Sequence, residues 1–109
     1  MTKEDMSERL TTFAVRIVKM VDSIPATVSG TAIARQIVRS GTSPSANYRA
    51  ACLAKSDKDF INKLKMVEEE LDETNHWLDI LMRSQLVSIV VKSIISTKAR
   101  MTANDIEKK

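Results

Sequence analysis

The residues of this chain best spaced to do chemistry are Glu73 and His76, in the run Glu73-Thr74-Asn75-His76. A glutamate three residues before a histidine puts both on one helix face, the spacing used by di-iron carboxylate bundles. That chemistry needs two such motifs plus inward glutamates from the two remaining helices. The chain has one histidine in all, so the second half of such a site is missing. The plainer reading is a solvated helix face. Cys52 is the one thiol. A nucleophilic cysteine wants a base beside it and a depressed pKa. Arg49 is near in sequence, but Ala50, Ala51 and Ala54 surround Cys52 as they would a small core residue. Gly30 and Gly41 are the only glycines, too few for a phosphate-cradling loop. No catalytic residue, metal ligand, cofactor or small-molecule substrate is expected, and the chain reads as a non-enzyme.

The charges are better organised. Residues 1–55 carry eight Lys/Arg against four acids, 56–84 carry four against eight, and 85–109 carry five against two. The net values are +4, −4 and +3. A basic excess of this kind suits a polyanion. Arg35 and Arg39 stand one helical turn apart, and Arg16, Lys19 and Arg49 extend the set of candidate nucleic-acid contacts. The competing reading pairs these cations with the acidic run Glu68, Glu69, Glu70, Asp72 and Glu73, within or between subunits. Aromatic stacking, common in single-strand binders, has Tyr48 as its one plausible donor.

The elements that must carry these residues are helices. A chain of 109 residues is one domain, 1–109, able to bury a core without metals or disulfides. Two glycines and two prolines leave little for the turns of a sandwich or barrel. One cysteine fits a reducing compartment. The first ten residues are too charged for a signal peptide, and no apolar run approaches the ~20 residues of a membrane span. A cytoplasmic protein is expected.

Leu10, Phe13, Ala14, Ile17, Val18 and Val21 recur at helical steps and predict a first helix over 7–23, with Ser7, Thr2 or Asp5 as its cap. A second helix over 31–54 contains Gly41 and Pro44 among small residues. An interior proline removes a hydrogen bond, so either a break or a kink pressed against a neighbour is expected, the kink being favoured. Ser56 with Asp59 starts a third helix over 57–83. Phe60, Leu64, Val67, Leu71, Thr74, Leu78 and Leu81 form its heptad seam. The phase fails after Leu81, which implies a turn near Ser84-Gln85; one unbroken helix through 57–100 is the alternative. Leu86, Val87, Val90, Val91, Ile94 and Ile95 begin a new stripe, giving a fourth helix over 87–103 and a polar tail, 104–109. Four such helices make an all-α, up-down-up-down bundle. Met66, Trp77 and Ile80 lie off the third seam and mark a candidate oligomer interface.

The run Arg39-Ser40-Gly41-Thr42-Ser43-Pro44-Ser45-Ala46-Asn47-Tyr48-Arg49-Ala50 is followed by Lys58-Asp59-Phe60, Lys63-Leu64, Val67-Glu68-Glu69-Glu70 and Trp77-Leu78. Together they resemble the four-helix-bundle proteins of the 23S ribosomal RNA intervening-sequence family. With Phe13 and Ile24-Pro25 the similarity covers roughly 10–83. It implies a left-handed bundle and a ring-shaped homopentamer. The related accessory variability proteins of retroelements share the architecture and bind nucleic acid and a reverse transcriptase. Pro44 departs from the family's usual aliphatic residue, and the region after Leu81 is shorter. No enzymatic role comes with the resemblance.

Three functions follow as expectations. The first is a non-enzymatic homo-oligomer, pentameric by resemblance, that scaffolds RNA or a nucleic-acid enzyme. The second is a self-assembling interaction protein whose charges serve only its own interfaces. The third is a metal or redox bundle, which the histidine count disfavours.

Overall fold

A computed structural model describes residues 1–84 and Leu86. Three helices fill it: α1 over Lys3–Val21, α2 over Val28–Cys52 and α3 over Asp57–Arg83. No strand occurs among the described residues. The fold is all-α, with three helices seen where the sequence predicts four. The expected fourth helix, 87–103, and polar tail, 104–109, lie outside the described residues.

The first helix starts earlier than its apolar period suggests, at Lys3 and not at residue 7. Thr2 is its cap. The Thr2 hydroxyl accepts from the Asp5 backbone N–H at 3.1 Å, and the Asp5 carboxylate accepts from the Thr2 N–H at 3.0 Å. Two otherwise orphaned donors are thereby satisfied. The buried stripe is Met6, Leu10, Phe13, Ala14 and Ile17, whereas Val18 is 47% exposed. Met6, ahead of the predicted helix start, joins the core, and Val18 does not.

Helix α2 also begins early, at Val28 instead of 31, because the Thr27 hydroxyl accepts from the Gly30 N–H at 3.0 Å. Gly30 sits where a Cβ would stand 2.0 Å from the Pro25 carbonyl oxygen. Only glycine admits that approach. The helix runs unbroken through Pro44, which is buried inside it. Around that proline the hydroxyls of Thr42, Ser43 and Ser45 donate to the carbonyls of Val38, Arg39 and Thr42, at 2.6, 2.6 and 2.9 Å.

The third helix matches its expected range. The Ser56 hydroxyl accepts from the Asp59 N–H at 3.1 Å, and Asp57 and Asp59 lie in the positive first turn. Val67, Leu71, Thr74, Leu78 and Leu81 are buried. Phe60 and Leu64, the first two seam positions, are half-buried. The helix stops at Arg83 with Ser84 as its C-cap, so α3 does not run on unbroken; the rest of the expected turn lies outside the described residues.

Helix α2 runs between α1 and α3 and packs against both. Leu10, Ile37 and Leu81 are the largest apolar side chains lost wholly from solvent. The one polar seam residue, Thr74, is explained by its partners. It shares a hydrogen bond with buried Ser40 at 2.9 Å and donates to the Glu70 carbonyl at 2.8 Å, so neither hydroxyl is buried unpaired. Helix α1 crosses α2 at Gly41, where a Cβ would lie 2.9 Å from two side-chain carbons of Ile17. Gly41→Val is expected to cost about 1–3 kcal/mol by overpacking, measured by urea denaturation. A stability equal to wild type would mean that the crossing is looser than drawn.

Candidate nucleic-acid interface

Helix α2 supplies three arginines and no acidic residue over Val28–Cys52. They do not share one fate. Arg39 reaches across to α3. Its Nη1 donates to Glu70 Oε2 at 3.0 Å and its Nη2 donates to Glu73 Oε1. Its Nε donates to Gln36 Oε1 at 3.3 Å. Glu73 also accepts from Trp77 Nε1 at 3.3 Å. The Arg39 hydrogen bond, then that of Trp77, holds the Glu73 carboxyl below the usual carboxylate range. The same bond raises the Arg39 guanidinium above its ordinary value. The two side chains are 46% and 37% exposed, enough for solvent screening to keep the ion pair weak. The clasp therefore fixes the register of α2 on α3 more than it adds stability.

Arg16, Lys19, Arg35 and Arg49 are exposed and make no hydrogen bond or ion pair among the described residues. Ile17 lies against Gly41 while Met6 and Leu10, nearer the start of α1, lie beside Tyr48, nearer the end of α2; α1 and α2 therefore run antiparallel, and Arg16, Lys19, Arg35 and Arg39 gather in one half of the bundle. Arg49 lies ten positions past Arg39, about 15 Å further along the helix, and belongs to the other half. Tyr48 is 7% exposed and part of the core. Burial raises its hydroxyl pKa, with Cys52 next as a cause. It is not available to stack on a base, contrary to the expectation from sequence.

Glu73 is engaged by Arg39, while His76 is exposed, its ring edge-on to Trp77 at 5.4 Å between centroids. Among the described residues no group of three or more His, Cys, Asp or Glu could hold a metal. Cys52 is half-buried against the core. Of the candidate interface residues on α3, Met66 is 44% exposed, while Trp77 and Ile80 are half-buried. Trp77 packs on the core. No helix among the described residues is long and apolar enough to cross a membrane.

One feature was not anticipated. Met6 and Leu10 of α1, Tyr48 of α2, and Phe60, Leu64, Val67 and Glu68 of α3 line a cavity of about 310 Å³. Lys3 Nζ stands 5.2 Å from the centroid of the Phe60 ring, at the same end. The signal for it lies at the start of α1, where Met6 falls outside the helix predicted from the apolar stripe.

A family model described as 23S rRNA-intervening sequence protein matches residues 3–106. The chain belongs to that family. The match extends beyond the 10–83 over which the resemblance was read. A crystal structure of a protein of unknown function from the S23 ribosomal protein family, from Bacteroides thetaiotaomicron, superposes with a TM-score of 0.87 at 31% identity. The similarity covers 99% of this chain and 96% of that one. No curated protein matches. In this member of the intervening-sequence family the acids of α3 engage Arg39 and, among the described residues, leave Arg16, Lys19, Arg35 and Arg49 without an ion pair.

Proposed function

We propose that this chain is a non-enzymatic helical bundle, completed by a fourth helix over 87–103, that self-assembles in the cytoplasm and holds RNA on its basic helices. A homopentamer is the favoured assembly. The observation that carries the reading is the set Arg16, Lys19 and Arg35, exposed and without partners among the described residues in one half of the bundle. Phosphate neutralisation by such cations is sequence-independent and weakens steeply with salt, because condensed counterions are released. Repetition around an oligomer adds weak contacts through multivalency.

The rival reading, an assembly protein with no nucleic-acid role, draws on Arg39, whose charge is already taken up by Glu70 and Glu73. Two measurements separate them. Light scattering after size exclusion is expected to give a multiple of the 12.2 kDa chain mass; a monomer at micromolar concentration removes the assembly. Changing Arg16, Lys19 and Arg35 together to Glu is expected to abolish RNA retention and leave that mass unchanged. If RNA is still retained, the nucleic-acid reading fails. If the oligomer dissociates instead, these cations belong to its interfaces.

A further inference from the structure

The end of α1, the connection that follows it and the first turns of α2 enclose an open groove of about 510 Å³, within the roughly 300–1,000 Å³ of small-ligand sites. Ile24, Pro25, Ala34 and Val38 give it an apolar lining. Its shape is set by packing. Ile24 belongs to the core, and the Ser23 hydroxyl donates to the Met20 carbonyl at 2.6 Å. The Pro25 carbonyl presses on α2 where Gly30 leaves room for it. The connection is therefore held against α2 before any ligand arrives, which lowers the ordering cost of binding.

Two opposite charges line this groove, Asp22 from the C-cap of α1 and Arg35 from α2. Both are exposed, and neither has an ion pair among the described residues, with the other or with a third group. Arg39 also lines it, but its charge is taken up by Glu70 and Glu73. An acidic peptide would set its carboxylates against Asp22 as well as beside Arg35. A nucleotide carries both complements. It has a phosphate for Arg35, flat apolar faces for the lining, and a base edge with N–H donors for Asp22.

We infer that this groove takes one unstacked nucleotide of single-stranded RNA, its phosphate at Arg35, its base against Ala34 and Val38, and its donor edge at Asp22. The inference rests on the RNA reading above and adds the strand form and the base. In a duplex the base faces are stacked and their donor edges paired, so only the phosphate contact survives. Guanine suits Asp22 best, because its N1–H and N2–H donate side by side to the two carboxylate oxygens. Uracil offers a single donor, N3–H. Lys19, one turn before Asp22 on α1, and Arg16 are left for the flanking phosphates.

Three labelled RNAs, followed by fluorescence anisotropy over a range of salt, test this. They are an oligouridylate, the same strand with interspersed guanines, and that second strand annealed to its complement. Two substitutions fill the groove without changing its charge: Ala34→Met in the lining, and Thr31→Met at an exposed position about one turn earlier. Each is expected to weaken the guanine-bearing single strand about tenfold, equivalent to losing contact with about 55 Å² of apolar surface. The duplex and the salt dependence should be unchanged. Asp22→Asn is expected to bring the two single strands to equal affinity; guanine still preferred in that variant would overturn the base-edge contact. Filled variants that bind all three RNAs as wild type does, or that weaken single strand and duplex alike, overturn the groove assignment and leave the basic-helix reading standing. No binding of any RNA by the wild-type chain overturns both. A fall in assembly mass in Thr31→Met would seat a second copy of the chain in the groove and overturn the nucleotide.

Discussion

Leu71→Ala is expected to lower stability by about 2–5 kcal/mol, the range seen when buried leucines are truncated. Leu71 is 7% exposed and sits in the core cluster between Val67 and Thr74 on the α3 seam. Shortening it removes apolar contact and leaves a cavity in a seam whose polar neighbour is pinned by Ser40 and the Glu70 carbonyl. That neighbour resists collapse into the space. His76→Ala, five positions on, is expected to stay within about 0.5 kcal/mol of wild type, as exposed substitutions do. It forfeits one edge contact with Trp77. Both variants should be compared by denaturant titration at one protein concentration, since self-association would add a mass-action term. If His76→Ala proved the more damaging, α3 would be facing the wrong way. The case against a metal site at Glu73 and His76 would then have to be rebuilt.

The register of α3 was legible because seven seam residues kept one period over most of the helix, and a single apolar face satisfies them all. The helix starts were less so. Lys3, Glu4 and Asp5 fill the first turn of α1 with charge, so no apolar step announces it. Its start is marked instead by a reciprocal cap whose second member is an aspartate. The Val28-Ser29-Gly30 opening of α2 reads as a connection, and its glycine is required by the Pro25 carbonyl, a contact invisible until the two segments meet. Met6 lies ahead of the predicted helix and so escaped the apolar stripe, while Val18, adjacent to buried Ile17, is turned outward. Pro44 was the largest local conflict. The helix absorbs it, with Ser and Thr hydroxyls bonding to nearby carbonyls and the ring itself buried. For the candidate site, the pairing of basic α2 with acidic α3 suggested by segregated charge is made by one arginine among the described residues, Arg39. Which arginine does so depends on how α2 is rotated and shifted against α3, and one turn separates Arg35 from Arg39.

That one turn yields the sharpest contrast in behaviour. Arg39→Glu is expected to weaken the docking of α2 on α3, because a third carboxylate would then stand beside Glu70 and Glu73 with no cation among them. Trp77 would also lose the fixed orientation of the Glu73 oxygen that accepts its Nε1–H. The readout is a lower melting temperature and a change in tryptophan fluorescence, both softened by added salt, since screening reduces like-charge repulsion between exposed groups. Arg35→Glu removes no hydrogen bond or ion pair among the described residues, so its melting temperature should match wild type. Its effect should fall on RNA retention, which is expected to drop and to show a shallower salt dependence, one fewer phosphate being neutralised. The two substitutions carry the same change of charge and lie on the same helix, so net charge cannot account for a difference between them. Should Arg35→Glu also lower the melting temperature, Arg35 would have a partner in a neighbouring subunit. Equal losses of RNA retention with unchanged stability in both would show that the Arg39 clasp opens readily to phosphate.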